Sequence, residues 1–520
     1  MQKIILILYV VFLYFLFFIF LGLLVYNFKR IVSSLKTIPK NGVFLLLFVL
    51  IISLLLRTFI VHKVFCEEAI YINVAQNMYY HHQYGGTMQG SKYIPEKIAC
   101  YNRPGGHPFL INFFYVFFGE SEKTAFFMNS LWGTLSVAVI FLFTYALFNS
   151  VAIAFCTSLF VTIFPIHLVY SNSVSSEISS FFFLSLSLFI LVLFIKLPET
   201  TLLYLLSATA IFSFYIRPEN TLFLIPLIIF FIFLFQHGKI SKKQLWNLVY
   251  FIFALALPLL TQFIDMKKIE NIVARGQFWS LGLLKEQLLD NVKYLFNNIY
   301  TPCIYAIFSL PGGIFLYRTN RKIFSFFFAW FLVFFIAYSG YFAGIFSASN
   351  RYFFMCIIPL CLFAAIGVKH LLDKCGGRYK FFIYSLLLIV FVLDSSVVTK
   401  RVYGLLLHKD KEYSFLRNFS KNLPDSEYIL TIEPYFVAAE LNKKALDYFL
   451  FTMSNLSYKK ILLLKTTGWP EEYFSKEEKR LKDSYDFKIL VQKEFSPDSR
   501  TFIAELTKKN KSSVSPAYRR

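Results

Sequence analysis

Residues 178–196 read ISSFFFLSLSLFILVLFIK, a run in which the only charged side chain belongs to the last residue, Lys196. An α-helix rises 1.5 Å per residue, so a helix over this run is about 28 Å long. The hydrocarbon core of a bilayer is about 30 Å thick, which about 20 apolar residues of helix can cross. The run therefore predicts a membrane-spanning helix.

The same length criterion predicts about twelve spans, and so a mainly α, polytopic helical membrane bundle. Hydrophobic residues make up 57% of the 520-residue chain, and charged residues only 16%, against roughly 25% in soluble domains. This composition excludes an ordinary soluble enzyme. The predicted spans lie near residues 4–26, 43–61, 124–148, 151–170, 178–196, 201–217, 220–236, 245–264, 302–317, 324–345, 352–370 and 381–399.

The charge pattern predicts how these spans are oriented. The chain has 52 Lys and Arg against 30 Asp and Glu, a formal net charge of +22. Such a balance can indicate nucleic-acid binding, but here the basic residues cluster in short connectors, as the positive-inside rule requires. We therefore expect no nucleic-acid partner and a cytoplasmic position for the connectors after spans 1, 7, 9 and 11. Their basic residues are Lys29, Arg30, Lys36, Lys40, Lys239, Lys242, Lys243, Arg318, Arg321, Lys322, Lys369, Lys374, Arg378 and Lys380.

Alternation of the spans then places three polar segments on the extracytoplasmic face: residues 62–123, 265–301 and the tail from 400 onward. Residues 108–118 are apolar but only about half as long as a span, which predicts a helix lying in the outer interface. The predicted organisation has four parts. They are an extra N-terminal span with its connector (1–42), a main transmembrane module (43–400), a small extracytoplasmic α/β domain (401–507) and a disordered basic tail (508–520).

Ionisable residues are almost absent from the middle of the spans, which argues against an ion-coupled transporter. Charged and polar residues gather instead at the predicted outer face. Because they come from distant parts of the chain, we expect a site at the membrane surface. The loop after span 2 contributes Glu67, Glu68, His81, His82, Glu96, Arg103 and His107. Three span ends add Glu177 at the start of span 5, Arg217 between spans 6 and 7, and Arg351 before span 11.

At these residues the sequence resembles the GT-C membrane glycosyltransferases, in particular the branch of protein O-mannosyltransferases and aminoarabinose (lipid A) transferases. Glu67-Glu68-x-x-Tyr71-x-x-x-Ala75 resembles the branch's Asp-Glu-x-x-Tyr-x-x-x-Ala motif. Arg103-Pro104-Gly105-Gly106-His107-Pro108 is similar to its Arg-Pro-Pro-Gly-Tyr-Pro stretch. Ser176-Glu177, Arg217-Pro218 and Arg351-Tyr352 fall where the branch has comparable residues. The resemblance covers about residues 43–400.

The resemblance implies a polyprenyl-phosphate sugar donor, transfer at the outer surface of the plasma (inner) membrane, and inversion at the anomeric carbon. The acceptor is a hydroxyl or amine of a glycan, lipid or protein. The branch's catalytic Asp corresponds to Glu67, whose side chain is one methylene longer, so either Glu67 or Glu68 is the base. Arg351, Arg217 and Arg103 are candidates for the donor phosphate, because a guanidinium can bind two phosphate oxygens. His107, Glu177 and Tyr71 are candidates for substrate binding.

We expect no cofactor and no metal. Glu67, Glu68, His81, His82 and His107 share one loop, but their spacing matches no standard metal site, and the branch generally works without one. A divalent metal remains an alternative.

Three other functions stay open. A polyprenyl-linked lipid transporter or flippase would need charged groups through the membrane, and a non-catalytic membrane scaffold would bind a partner through the tail. Within the enzyme class, an oligosaccharyltransferase-like or polymerase-like GT-C branch is the alternative.

Overall fold

The computed structural model describes residues 2–58, 65–99, 105–236, 238, 240–253, 279–297, 300–341, 350–375, 377–425, 427–453, 458–466, 481–496 and 499–509. Within these ranges the chain is mainly helical, as predicted. Several predictions lie partly outside the described residues. They are the span 43–61 beyond 58, the loop 62–123 at 62–64 and 100–104, the span 245–264 beyond 253, the loop 265–301 up to 278 and at 298–299, the span 324–345 beyond 341, and the tail after 509.

The helices of the first half cover the predicted spans and the first outer loop. They are α1 (Gln2–Tyr26), α2 (Phe28–Leu35), α3 (Lys40–Leu56), α4 (Phe65–His81), α5 (Gly106–Phe118), α6 (Glu122–Phe148), α7 (Val151–Ile163), α8 (Pro165–Ser171), α9 (Ser176–Lys196), α10 (Thr200–Ile216), a 3₁₀ helix (Pro218–Phe223), α11 (Leu224–Gln236) and α12 (242–253).

The second half continues the bundle and then adds a smaller domain. Its helices are α13 (Leu281–Tyr294), α14 (Cys303–Thr319), α15 (Arg321–Ser339), a 3₁₀ helix (Asn350–Cys356), α16 (Ile357–Lys374), α17 (Gly377–Ser420), α18 (Pro434–Ala439) and α19 (Tyr448–Met453).

Each predicted span overlaps a helix, but fewer helices are long and apolar enough to cross a membrane. The described residues hold six such helices, or eight if the bent pairs α2–α3 and α7–α8 each count as one span. Helix α10 has 17 residues, and α11 has 13 residues after the preceding 3₁₀ helix. Both are shorter than the about 20 residues that cross the hydrocarbon core. The chain is therefore a multi-pass membrane protein, while the count of twelve stays a prediction.

Helix α9, which contains the run 178–196, lies at the centre of the bundle. In its most apolar window 94% of the residues are buried, against 17% in the corresponding window of α17. A helix that is apolar on all sides is expected in such a central position. The start of α9 is thus a natural meeting point for side chains from surrounding helices.

A seven-stranded sheet forms the core of the C-terminal domain, in the order β2-β1-β4-β3-β5-β7-β6. Short apolar runs predict strands over residues 428–432, 460–464 and 487–491, and β3, β5 and β6 overlap these three runs. The strands are β1 (Gly86–Gly90), β2 (Pro95–Ala99), β3 (Tyr428–Thr431), β4 (Lys444–Asp447), β5 (Lys460–Lys465), β6 (Tyr485–Ser496) and β7 (Ser499–Lys508).

Two strands of this sheet come from the loop 62–123, far away in sequence, which the charge pattern predicts to be extracytoplasmic. Strand β1 pairs antiparallel with β4, with Gln89 opposite Leu446. Because hydrogen-bonded strands share one sheet, the loop 62–123 and the C-terminal domain lie on the same side of the helix bundle. Helix α17 runs unbroken from the bundle into this domain.

Candidate functional site

Helix α4 carries the acidic motif and is attached to the sheet by buried amides. The Asn73 side-chain oxygen accepts a hydrogen bond of 2.7 Å from the backbone N–H of Thr87, and the Asn77 amide donates one of 2.8 Å to the carbonyl of Gly85. Both asparagines are fully buried. These bonds fix the β1–β2 hairpin to the helix that begins with the candidate bases.

Tyr71 of α4 and His107 of α5 meet at the start of α9. Their rings pack edge to face, with centroids 4.8 Å apart. The Tyr71 hydroxyl is hydrogen-bonded to Ser176 Oγ at 3.1 Å, and His107 Nδ1 is hydrogen-bonded to Ser179 Oγ at 3.0 Å. Two substrate-binding candidates, which lie 36 residues apart in sequence, are therefore neighbours.

Gly106 allows α5 to reach this position. A Cβ atom at Gly106 would lie 2.6 Å from the backbone C and O atoms of Tyr215 at the end of α10. Backbone atoms cannot yield as a flexible side chain can, so only glycine permits this approach. The approach places His107 beside Arg217, the residue that follows α10.

Arg217 forms a buried ionic cluster with two carboxylates. Its guanidinium forms a salt bridge with Glu177 of α9, and its Nη2 lies 3.2 Å from Oε1 of Glu219. Arg217 is 6% exposed and Glu177 is 2% exposed. Buried charges need such partners, because desolvation is expensive. The two candidates Glu177 and Arg217, which the sequence assigned to different roles, thus interact directly.

Glu219 was not among the sequence candidates. Pro218 is the first residue of the 3₁₀ helix, and its fixed φ suits that position. The resulting turn brings Glu219 back toward Arg217, two residues earlier. The tripeptide Arg-Pro-Glu was the available signal for this contact.

Three tyrosines connect Arg217 with Arg351. Tyr338 of α15 interacts electrostatically with Arg217 and Glu219, and its ring centroid lies 4.8 Å from that of Tyr352. Arg351 Nη2 donates to the Tyr352 hydroxyl at 3.1 Å, and the guanidinium lies over the same ring. Tyr341 contacts Tyr352 and interacts electrostatically with Glu219 and Arg351.

Tyrosines within apolar helices resemble lipid-facing or core residues in sequence, so Tyr338 and Tyr341 could not be singled out by pattern. The structure brings together Tyr71, His107, Glu177 and Arg217 directly. Arg351 joins them through the tyrosines.

The position of the candidate bases is described only in part. Glu68 is 4% exposed and lies three residues before Tyr71, so both residues project from nearby parts of the helix surface. The backbone of Glu67 is helical, but its side chain lies outside the described residues, as does the whole of Arg103.

His107 is held in its neutral form. Burial, and then the positive charge of Arg217, lower the pKa of His107 to about 3. Its Nε2 atom is buried and has no hydrogen-bond partner within the described residues. Buried polar atoms are normally satisfied, so this nitrogen is available to bind a substrate group.

No three His, Cys, Asp or Glu side chains lie close enough to share a metal ion in the part of the chain that the structure describes. His81 is engaged elsewhere, since its Nε2 is hydrogen-bonded to the carbonyl of Lys92 at 2.8 Å. The Glu67 side chain is outside this test, so the expectation of a metal-free site stays a prediction.

Residues 102–261 match the dolichyl-phosphate-mannose-protein mannosyltransferase family. No curated protein matches the sequence significantly.

The fold is similar to two kinds of solved membrane glycosyltransferase. One is the crystal structure of ArnT from Cupriavidus metallidurans bound to undecaprenyl phosphate, with 14% identity, a TM-score of 0.55, and coverage of 89% of this chain and 97% of that one. Another is the archaeal oligosaccharyltransferase AglB from Archaeoglobus fulgidus in complex with an inhibitory peptide and a dolichol-phosphate. It shows 11% identity, a TM-score of 0.55, and coverage of 92% of this chain and 75% of that one.

The fold similarity extends over most of each chain. The predicted resemblance is confirmed: the chain is a multi-pass membrane protein with the fold of the GT-C glycosyltransferases, and its residues 102–261 match their mannosyltransferase branch.

Proposed function

We propose that this protein is a membrane glycosyltransferase that moves a sugar from a polyprenyl-phosphate donor to an acceptor hydroxyl or amine, with inversion, at the extracytoplasmic face of the plasma (inner) membrane. The observation that carries the proposal is the buried cluster of Tyr71, His107, Glu177 and Arg217. Its members come from four helical segments. They meet near helix α4, which is attached to the seven-stranded sheet. The family match and the fold similarity support the same reaction class.

The donor phosphate requires cations near its leaving oxygen. Negative charge grows on the phosphate as the bond to the anomeric carbon breaks, and preorganised positive groups stabilise it. Arg351 is partly exposed and is therefore the better primary contact. Arg217 already neutralises two carboxylates. It therefore acts on the phosphate only through the part of its positive charge that they leave uncompensated, and it fixes the positions of Glu177 and Glu219. Arg103 remains the third candidate.

One carboxylate must take the proton of the acceptor. Neighbouring residues on an α-helix do not face the same direction, so Glu67 and Glu68 cannot both point into one site. We propose one of them as the general base, a role that typically contributes 10²- to 10⁴-fold in rate. The other packs against or orients its neighbour.

The sugar contacts the groups around the start of α9. The unpaired Nε2 of His107 binds a sugar hydroxyl or a phosphate oxygen. Tyr71, whose ring packs against His107, and Glu177 contribute further substrate contacts. The acceptor approaches from the side of the sheet, since the hairpin and α4 form one unit there. An acceptor peptide is bound by the archaeal oligosaccharyltransferase of similar fold; for this chain a glycan, lipid or protein acceptor is proposed.

The test is transfer by the full-length protein reconstituted in proteoliposomes. Polyprenyl-phosphate mannose and polyprenyl-phosphate aminoarabinose serve as donors in the presence of membrane extract from a deletion strain. Release of polyprenyl phosphate and labelling of an acceptor are measured together. We expect both with at least one donor, with loss of turnover in either Glu67→Gln or Glu68→Gln.

Glu286→Gln is the matched control, because Glu286 is an exposed carboxylate of α13. Donor movement between leaflets without transfer would instead identify a flippase. Neither movement nor transfer, in protein that is folded, would favour a scaffold.

A further inference from the structure

A groove runs between α11 and α15, away from the site described above. Its volume is about 360 Å³, within the range of about 300–1,000 Å³ found for ligand pockets. Ile229 and Phe230 form one wall and Phe326 and Ala329 the other. The walls are therefore apolar along most of their length.

Two cations mark one end of this groove. Arg321 and Lys322 are the first two residues of α15, and both line the groove and are exposed. The Arg321 guanidinium lies over the ring of Tyr317, 5.2 Å from its centroid. An aromatic ring beneath a cation is typical of the membrane interface, where both groups meet lipid headgroups.

The groove and the proposed active site lie at opposite ends of one helix. Helix α15 is long and apolar enough to span the membrane. Its residues 321 and 338 are 17 positions apart, which corresponds to about 25 Å along the axis. Tyr338 belongs to the active-site cluster, so the cationic end of the groove lies near the other membrane surface, where the basic connector predicts the cytoplasm.

We propose that this groove binds an anionic phospholipid of the cytoplasmic leaflet. Its phosphate lies against Arg321 and Lys322, and an acyl chain lies along Ile229, Phe230 and Ala329. Basic pockets between membrane helices at this surface suit anionic headgroups. A free phosphate ion would leave the apolar walls uncovered.

The test measures lipid retention by the full-length protein. The protein is reconstituted in phosphatidylcholine nanodiscs that contain phosphatidylglycerol at a low mole fraction, and bound lipid is quantified by native mass spectrometry. Each cation near an anionic surface contributes about 1 kcal/mol, so removing two corresponds to about 30-fold weaker binding. We expect the double variant Arg321→Gln/Lys322→Gln to bind phosphatidylglycerol about 30-fold more weakly than wild type.

Two further variants separate this groove from general surface charge. Lys242→Gln/Lys243→Gln removes two cations from another connector predicted to be cytoplasmic, and should retain the lipid. Ala329→Trp keeps both groove cations but fills the space for the chain, and should release it. Equal loss in both double variants would overturn the proposal, as would preferential retention of undecaprenyl phosphate over phosphatidylglycerol at equal mole fraction.

Discussion

Replacing Arg217 with Gln should destabilise the protein more than removing either carboxylate alone. The substitution leaves Glu177, which is 2% exposed, as a buried charge without its cation. Breaking one side of a buried ion pair costs about 3–5 kcal/mol, a large part of the 5–15 kcal/mol that typically stabilises a domain. Glu219 contributes less to this cost because its side chain is 36% exposed.

The double variant Arg217→Gln/Glu177→Gln distinguishes this cause from simple loss of packing. It removes both buried charges and leaves two amides that can hydrogen-bond each other. We expect it to recover about half of the lost free energy of unfolding, and therefore to show a positive coupling in a double-mutant cycle. Unfolding is measured by titration with sodium dodecyl sulfate in mixed micelles.

Activity gives the second readout of the same cycle. If Arg217 also supports the donor phosphate, turnover stays low in the double variant although stability recovers. A double variant no more stable than Arg217→Gln, or a single variant within about 1 kcal/mol of wild type, would refute the reasoning from the buried pair.

Three further outcomes are expected. Gly106→Ala should lower the free energy of unfolding by about 1–3 kcal/mol through overpacking and reduce turnover, because its Cβ would meet the backbone of Tyr215. Gly22→Ala is the control, since Gly22 has open space around it. Equal effects of the two substitutions would contradict the close approach. The lowered pKa of His107 means that its stabilising contribution is present above about pH 6.5 and is lost as the pH falls. Relative to His107→Gln, wild type should therefore lose about 2 kcal/mol of unfolding free energy between pH 7 and 5, and parallel curves for the two proteins would refute this. Turnover should persist in EDTA, and a loss that only a divalent ion restores would show that a metal takes part.

The membrane helices and their relative order were predictable because the signals are local. The apolar run 178–196 is by itself enough to predict a membrane helix. The basic connectors predict which span ends lie on the same side of the membrane. The number of spans does not follow from hydropathy alone. Arg217-Pro218 ends α10 and starts a 3₁₀ turn, so two neighbouring apolar blocks form short helices whose lengths the hydropathy alone does not fix.

The site was predictable only as a set of residues on one face. Hydropathy and sidedness selected His107, Glu177 and Arg217, and the family motif added Tyr71, but their contacts depend on how four helical segments pack. Tyr338 could not be found from its sequence context, since it lies in a mostly apolar predicted span (324–345) without charged residues. The ion pair of Glu177 and Arg217 joins residues 40 positions apart, and no local pattern encodes such a pairing.

The seven-stranded sheet and its domain restrain helix α4, which carries Glu67 and Glu68. Strand β1 is hydrogen-bonded to β4, and its hairpin is fixed to α4 by buried amides of Asn73 and Asn77. Helix α4 also packs directly on the C-terminal domain, since Ala69 belongs to that domain's core. Helix α4, which carries Glu67 and Glu68 near its start, is therefore held both by the hairpin and by the C-terminal domain. A general base must be held within hydrogen-bond reach of the proton it removes. If one of these carboxylates is the base, as proposed, a domain distant in sequence restrains its position.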